Sequence, residues 1–102
     1  MVEIIKTSVF DEWLSELRDR TARARIEVRI RRLSFGNPGD VKPVGEGISE
    51  MRISYAPGYR VYYRQHGPML VVPLCGGDKS TQEKDIEDAK GLAKEWKDKR
   101  DE

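Results

Sequence analysis

The stretch "GYRVYYRQHG", residues 58–67, has the alternating pattern of a β-strand with one polar face. Successive strand residues point to opposite faces. One face of this strand would therefore carry Tyr59, Val61 and Tyr63. The opposite face would carry Arg60, Tyr62 and Arg64. The first set suits a hydrophobic core, whereas the second set gathers two cations and an aromatic ring.

The segment before this strand alternates in the same way. Residues 48–54 place Met51 and Ile53 on one face and Glu50 and Arg52 on the other. The turn Ala56-Pro57-Gly58 joins the two segments, and strands joined by a short turn usually pair. We therefore expect the apolar faces to meet the helices. The opposite faces would form an open polar surface with Arg52, Arg60, Tyr62 and Arg64.

That surface has two interpretations. An antiparallel sheet often keeps one face in water, and arginine is then only a solubilising residue. A binding surface is the alternative, because the arginine fork matches phosphate and a tyrosine ring can stack on a base.

The residues before this pair of strands predict a strand and two helices. Val2 to Lys6 is a short apolar-rich strand. Ser8 is placed to cap a helix whose apolar stripe is Phe10, Trp13, Leu14 and Leu17. Asp19 starts a second helix, with Ala22, Ile26, Ile30 and Leu33 as its buried stripe. Gly36-Asn37-Pro38-Gly39 ends it.

The remaining segments complete an α+β domain. Asp40 to Val44 is a weak strand, and Met69 to Cys75 is an apolar strand in which Pro73 indicates a bulge or an edge position. Gly76-Gly77-Asp78-Lys79 would end that strand. Ser80 and Glu83 have capping-box spacing before a last helix with Ile86, Ala89, Ala93 and Trp96. The expected order is β-α-α-β-β-β-β-α: an antiparallel sheet with two N-terminal helices on one face and a C-terminal helix.

Length and composition limit the possibilities. A chain of 102 residues is one domain, residues 1–102. Its net charge is only +1, yet many arginines fall between Arg18 and Arg32, which favours nucleic acid or an acidic protein as partner. One cysteine allows no internal disulfide, and one histidine and one cysteine are too few ligands for a zinc site of these residue types. With no apolar run of membrane-spanning length, we expect a cytoplasmic protein without a cofactor.

The order of the short motifs resembles the RelE/ParE superfamily of toxin–antitoxin toxins. "GYRVYYR" follows a strand with "EMRI" and precedes an apolar strand and "CGGDKSTQEKDI". The stretch "GDVKPVGEGISEMR" is similar to the HigB-like branch, the addiction module killer proteins. The resemblance runs from Val2 to about Trp96. It implies a compact sheet with helices on one face.

The resemblance also implies a function. Many members of the superfamily cleave mRNA in the ribosomal A site, and ParE-like members poison DNA gyrase. An antitoxin, here expected to be a helix-turn-helix protein from the same operon, neutralises the toxin, and the complex binds operator DNA. The family's basic active-site positions correspond to Arg52, Arg60 and Lys79 in this sequence.

Cleavage of RNA by its 2′-hydroxyl needs a base, a stabiliser of negative charge and an acid. Arg52 and Arg60 would hold the phosphate, and Lys79 would neutralise it or donate a proton. His66 stands in a predicted turn and is a weak candidate. Glu50 is either the base or a salt-bridge partner of Arg52.

Further residues are candidates for contacts with RNA. Tyr62 would stack on a base, orient the nucleophile or only contact a neighbouring strand, and Arg64 would support the site. Arg25, Arg29 and Arg32 follow one stripe of the second helix, which is either a solvated face or a docking surface for ribosomal RNA or an acidic antitoxin.

The expected function is that of a type II toxin, a ribosome-dependent mRNA endoribonuclease. The absence of a strong general base among these residues favours dependence on the ribosome, which would orient the RNA. The alternatives are a ParE-like gyrase poison, a non-enzymatic nucleic-acid-binding module and an inactive toxin homologue.

Overall fold

A five-stranded mixed sheet organises the chain in the computed structural model, which describes residues 1–98. The strands are β1 (Glu3–Ile4), β2 (Val41–Gly45), β3 (Ile48–Arg52), β4 (Tyr59–Gln65) and β5 (Leu70–Asp78). The helices are α1 (Ser8–Glu16), α2 (Arg20–Ser34) and α3 (Gln82–Glu95), and a 3-10 turn (Lys79–Thr81) leads into α3. The spatial order of the strands is β1-β5-β4-β3-β2.

The α+β class is confirmed, but the expectation of a purely antiparallel sheet is wrong. Strands β2 to β5 form antiparallel pairs, whereas β1 pairs with β5 in parallel, with Glu3 opposite Leu70. Parallel neighbours need a long connection between them. Two helices and three strands separate β1 from β5 along the chain, so the first strand can join the edge of the sheet in this direction. The 3-10 turn is a further element that the expected order lacked.

Helices cover both faces of the sheet. On one face, α1 and α2 pack through Phe10, Leu14, Ile26, Ile30 and Leu33 onto Met51, Ile53, Val61, Tyr63 and Val71. On the other face, α3 packs through Ala89 and Ala93 onto Ile48, Tyr62, Leu70, Val72, Leu74 and Cys75. The predicted alternation of β3 and β4 is therefore confirmed. The expectation that their second face lies open is wrong, because the small residues of α3 let this helix lie close against it.

The helix starts differ in part from the sequence prediction. Thr7, not Ser8, caps α1, because its side chain accepts a hydrogen bond from the Phe10 amide. Asp19 caps α2 as predicted and accepts from the amides of Thr21 and Ala22. The predicted capping box of the last helix is wrong, since the residue before the 3-10 turn, Asp78, accepts from the Ser80 amide instead.

Strand β5 continues through the glycine pair that was expected to end it. A bulge follows Pro73: Tyr63 lies opposite Pro73 while Tyr62 lies opposite Cys75. This confirms the predicted bulge inside a central strand. Gly76 and Gly77 then lie in the strand, and each leaves room for a helix side chain. A β-carbon at Gly76 would clash with the ring of Trp13, and one at Gly77 would clash with the carboxylate of Asp85.

The helices α1, α2 and α3 have 9, 15 and 14 residues, fewer than a membrane-spanning helix needs. Within residues 1–98, none is long and apolar enough to cross a membrane.

Candidate nucleic-acid interface

Three basic residues that are far apart in the sequence line one open cleft. Arg52 ends β3, Arg60 lies directly opposite it near the start of β4, and Lys79 follows the end of β5. The cleft has a volume of about 650 Å³. Its lining residues are Asp40, Arg52, Ile53, Ser54, Tyr55, Ala56, Pro57, Gly58, Arg60 and Lys79. The structure therefore brings together the three residues that were predicted to be catalytic.

Gly58 stands between two of these basic residues. A β-carbon at this position would lie 3.6 Å from Cβ of Lys79 and 3.8 Å from Nη1 of Arg60. Its φ angle is +90°, in the left-handed region that glycine adopts without strain. The turn between β3 and β4 can therefore fold back beside both cations and form one wall of the cleft.

Arg52 is paired with a carboxylate that the sequence reasoning missed. Its Nη2 lies 2.8 Å and its Nε 3.2 Å from Oδ1 of Asp40. Both side chains are exposed, at 38% for Arg52 and 58% for Asp40, so water screens the pair. The position of Asp40 follows from the pairing of Val41 with Met51, a register that a bulge between Pro43 and Gly45 sets. That bulge had no clear signal in the sequence.

Glu50 is completely buried and pairs with Arg60, not with Arg52 as one interpretation held. Its Oε1 lies 3.9 Å from Nε of Arg60. Its Oε2 accepts hydrogen bonds from the Tyr62 hydroxyl at 3.1 Å and from Nε2 of Gln82 at 2.7 Å. A carboxylate that is sealed under α3 cannot take a proton from a substrate in the cleft. The hypothesis that Glu50 is the general base is therefore wrong.

Tyr62 also lies beneath α3 and has no exposed surface. Burial raises the pKa of its hydroxyl above the ordinary range, and the negative charge of Glu50 raises it further. A ring without exposed area cannot stack on an RNA base. The prediction that Tyr62 binds RNA is contradicted, since α3 covers the face of β4 that we expected to be open.

Arg64 and His66 lie at the other end of β4, away from the cleft. Arg64 is exposed and its Nη1 donates to the carbonyl oxygen of Ala93 at 3.4 Å, near the end of α3. His66 meets the ring of Trp96 edge to face, with the centroids 5.1 Å apart. Neither residue lines the cleft, so the structure does not bring Arg64 together with the other predicted site residues.

The arginines of α2 line a second groove beside the cleft. Arg25, Arg29 and Arg32 border a space of about 520 Å³, and Ile53 and Ser54 line both this groove and the cleft. The half-buried Arg29 donates to the carbonyl oxygens of Arg52, Pro38 and Asp40, which fixes the backbone behind the cleft. Desolvation lowers the pKa of Arg29.

Arg25 and Arg32, the other two arginines that were predicted to dock, are exposed. The guanidinium of Arg25 lies 4.9 Å above the ring of Tyr55, a cation–π contact that joins the groove to the wall of the cleft. The docking role expected of these arginines stays a prediction.

The chemistry of the cleft is that of an anion site. Two guanidinium groups and one ammonium group face a single open volume, and such groups bind phosphate. Within residues 1–98, no three His, Cys, Asp or Glu side chains lie close enough together to hold a metal ion.

The chain has a close relative in Haemophilus influenzae. A protein of Haemophilus influenzae, described as an uncharacterized protein, is 54% identical over 94 residues, which are 92% of this chain and 95% of the relative. No family model matches the chain.

Proposed function

We propose that this chain, which belongs to the same family as the Haemophilus influenzae protein, is a toxin of the RelE/ParE superfamily. The proposal rests on the basic cleft and on the resemblance of the sequence motifs. It inhibits translation by cutting mRNA on the ribosome. The cleft binds the phosphate of the cut bond through Arg52, Arg60 and Lys79.

The convergence of Arg52, Arg60 and Lys79 carries this proposal. Two arginines lie directly opposite each other on paired strands, an arrangement of like charges that destabilises a sheet. A third cation adds to the repulsion. Asp40 and Glu50 offset part of this repulsion, and a phosphate in the cleft would offset more of it.

The side chains suggest how the reaction is divided. Arg60 and Arg52 neutralise the charge that grows on the phosphate, and such stabilisation is often the largest catalytic contribution. Lys79 is exposed in the turn before α3, where it can move toward a leaving oxygen. Among the described residues that line the cleft, Asp40 is the one carboxylate, and it is held by Arg52. A site with so weak a base depends on the ribosome to orient the 2′-hydroxyl.

The proposal includes the setting of a type II system. The toxin acts in the cytoplasm on translating ribosomes. A cognate antitoxin from the same operon, with a helix-turn-helix domain, neutralises it, and the complex of the two binds operator DNA. The exposed arginines of α2, Arg25 and Arg32, would meet ribosomal RNA or an acidic part of the antitoxin.

Induced expression with and without the neighbouring gene tests the proposal. The wild type should arrest growth and produce cuts within translated frames, mapped by primer extension. Arg52→Ala and Arg60→Ala should each reduce the cuts by at least about tenfold, since each removes a charge contact to the reacting phosphate. Arg31→Ala, an exposed arginine of α2 outside the cleft, is the matched control and should cut like the wild type.

Each other outcome excludes the proposal. Double-strand DNA breaks without mRNA cuts would indicate a gyrase poison. Growth without arrest would indicate a nucleic-acid-binding module or an inactive homologue. Full cleavage by both cleft variants would show that the reaction takes place elsewhere on the molecule.

A further inference from the structure

A buried carboxylate lies directly behind the basic cleft. Glu50 is the one fully buried charged side chain within residues 1–98. Burying a carboxylate has a high free-energy cost unless partners compensate it. Two neutral donors, Tyr62 and Gln82, serve only one of its oxygens, Oε2. The other oxygen, Oε1, faces Nε of Arg60.

The contact with Arg60 is electrostatic and involves one atom of each side chain. Oε1 and Nε are 3.9 Å apart, and within the described part of the chain neither atom has a hydrogen-bond partner. Both atoms are buried, so the charge of each residue is the main compensation for the desolvation of the other. An apolar residue at position 50 would usually give similar or greater stability than a buried ion pair. The carboxylate is then better explained by its effect on the orientation of the Arg60 guanidinium than by its effect on stability.

That direction suits the cleft. With Nε turned inward to Glu50, the outer edge of the guanidinium is turned toward the cleft that Arg60 lines. Nη1 lies 3.4 Å from the carbonyl oxygen of Tyr59 and 3.5 Å from that of Gly58, which are long contacts that a better acceptor can replace. The side chain is only 14% exposed, so few other orientations are open to it.

Arg52 is held in a different way. Its Nε and Nη2 both point to Asp40, an exposed acid on the cleft side. A phosphate must compete with Asp40 for Arg52, whereas Glu50 holds Arg60 from behind and leaves its outer edge free to bind.

We propose that Glu50 is a positioning residue, which fixes the guanidinium of Arg60 from inside the sheet so that its outer edge receives the phosphate. This inference rests on the proposed function of the cleft as a phosphate site. Tyr62 and Gln82 hold the carboxylate in turn, and Gln82 is the first residue of α3. The covering helix thereby contributes to the geometry of the cleft without contacting the substrate.

Nitrogen-15 NMR of the arginine side chains tests the inference without any activity assay. The Nε–Hε signal of Arg60 is assigned by its loss in Arg60→Lys, and its hydrogen exchange is compared with that of the exposed Arg31. In the wild type the Arg60 signal should exchange at least about tenfold more slowly, because its Nε is buried. Titration with inorganic phosphate should shift it.

The variants separate positioning from folding. Glu50→Gln keeps the shape but removes the charge that holds Nε in its buried position. Hε should therefore lose its protection, and phosphate binding should weaken by about tenfold. Ile48→Val disturbs the same buried cluster under α3 but keeps the carboxylate and both of its donors, and Asp40→Asn alters only the pair with Arg52. Both should leave the protection of Arg60 unchanged.

The outcomes for the two proposals differ. If Hε of Arg60 is unprotected in the wild type, or is equally protected in folded Glu50→Gln, the positioning role is overturned, whether or not phosphate binds. If phosphate does not shift any cleft arginine in the wild type, the proposed function of the cleft is overturned, even where Glu50 is found to hold Arg60.

Discussion

Arg52 and Arg60 are direct cross-strand partners, yet carboxylates on different sides of the cleft neutralise them. Asp40 holds Arg52 at 2.8 Å from the solvent side, and Glu50 lies 3.9 Å from Arg60 inside the sheet. The two acids offset the repulsion between the arginines. They therefore help two cations to lie side by side in one open cleft.

Asp40→Asn should increase the affinity of the cleft for phosphate or for a short RNA oligonucleotide. An exposed ion pair contributes about 0.2–1 kcal/mol, so freeing Arg52 from its acid should improve binding by up to about fivefold. Fluorescence anisotropy of a labelled RNA at several salt concentrations measures the change. The dependence of binding on salt should become steeper, because one more cation is available to the phosphates.

The same substitution in an Arg52→Ala background is the control. There Asp40→Asn should change affinity much less, since the arginine that it frees is gone. Equal gains in both backgrounds would show that Asp40 acts by general charge repulsion and not through its contact with Arg52.

Tyr62→Phe should destabilise the fold without changing RNA binding by the folded protein. The hydroxyl donates to a buried carboxylate, and such hydrogen bonds contribute about 1.5–3 kcal/mol to the free energy of unfolding. Urea denaturation measures the loss. Tyr59→Phe, on the other face of β4, is the matched control and should lower the free energy of unfolding less. A loss of RNA affinity without a loss of stability would mean that Tyr62 reaches the surface after all.

Gly76→Ala and Gly91→Ala should change stability in opposite directions. A methyl group at Gly76 would clash with the ring of Trp13, and overpacking of this kind costs about 1–3 kcal/mol or more. Gly91 lies within α3 with nothing within 4 Å of an added β-carbon, so alanine there should add about 0.5–1 kcal/mol. Thermal unfolding of the two variants beside the wild type measures both changes: the melting temperature should fall for Gly76→Ala and rise for Gly91→Ala.

Cys75 should make the fold less stable at high pH. Burial raises the pKa of its thiol from 9.0 to about 12, with a further contribution from the charges of Asp85 and Asp88. The thiol ionises in the unfolded chain first, so its contribution to stability is complete below pH 9 and is lost as pH rises toward 12. Between pH 8 and pH 10 the loss should be about 1 kcal/mol.

Urea denaturation of the wild type and of Cys75→Ala at these two pH values isolates this contribution from that of other groups. The variant should lack this part of the pH dependence. In the native protein at pH 8, the thiol should also react with an aromatic disulfide reagent far more slowly than in urea. Rapid native reaction would contradict the burial of Cys75.

Much of the local structure follows from the sequence alone. The alternation in residues 58–67 correctly divides β4 between two faces, because a strand has only two sides. The helical spacing of the apolar residues from Ala22 to Leu33 predicts α2. Asp19 marks its start, because a side-chain oxygen there can accept hydrogen bonds from the free amides of the first turn. These patterns depend on neighbours in the chain, so no tertiary contact is needed to see them. They also placed Arg52 beside Arg60.

The tertiary structure alone decided what each face of the sheet meets. An arginine-rich strand face is compatible with water or with a helix, and only the docking of Ala89 and Ala93 closes that face over Tyr62 and Glu50. The same docking leaves Arg60 at the rim, next to Lys79. Asp40 lies beside Arg52 because of the register in which β2 pairs with β3, and a bulge in β2 shifts that register. Contacts between distant segments arise from packing, and the short-range pattern of a sequence does not contain that information.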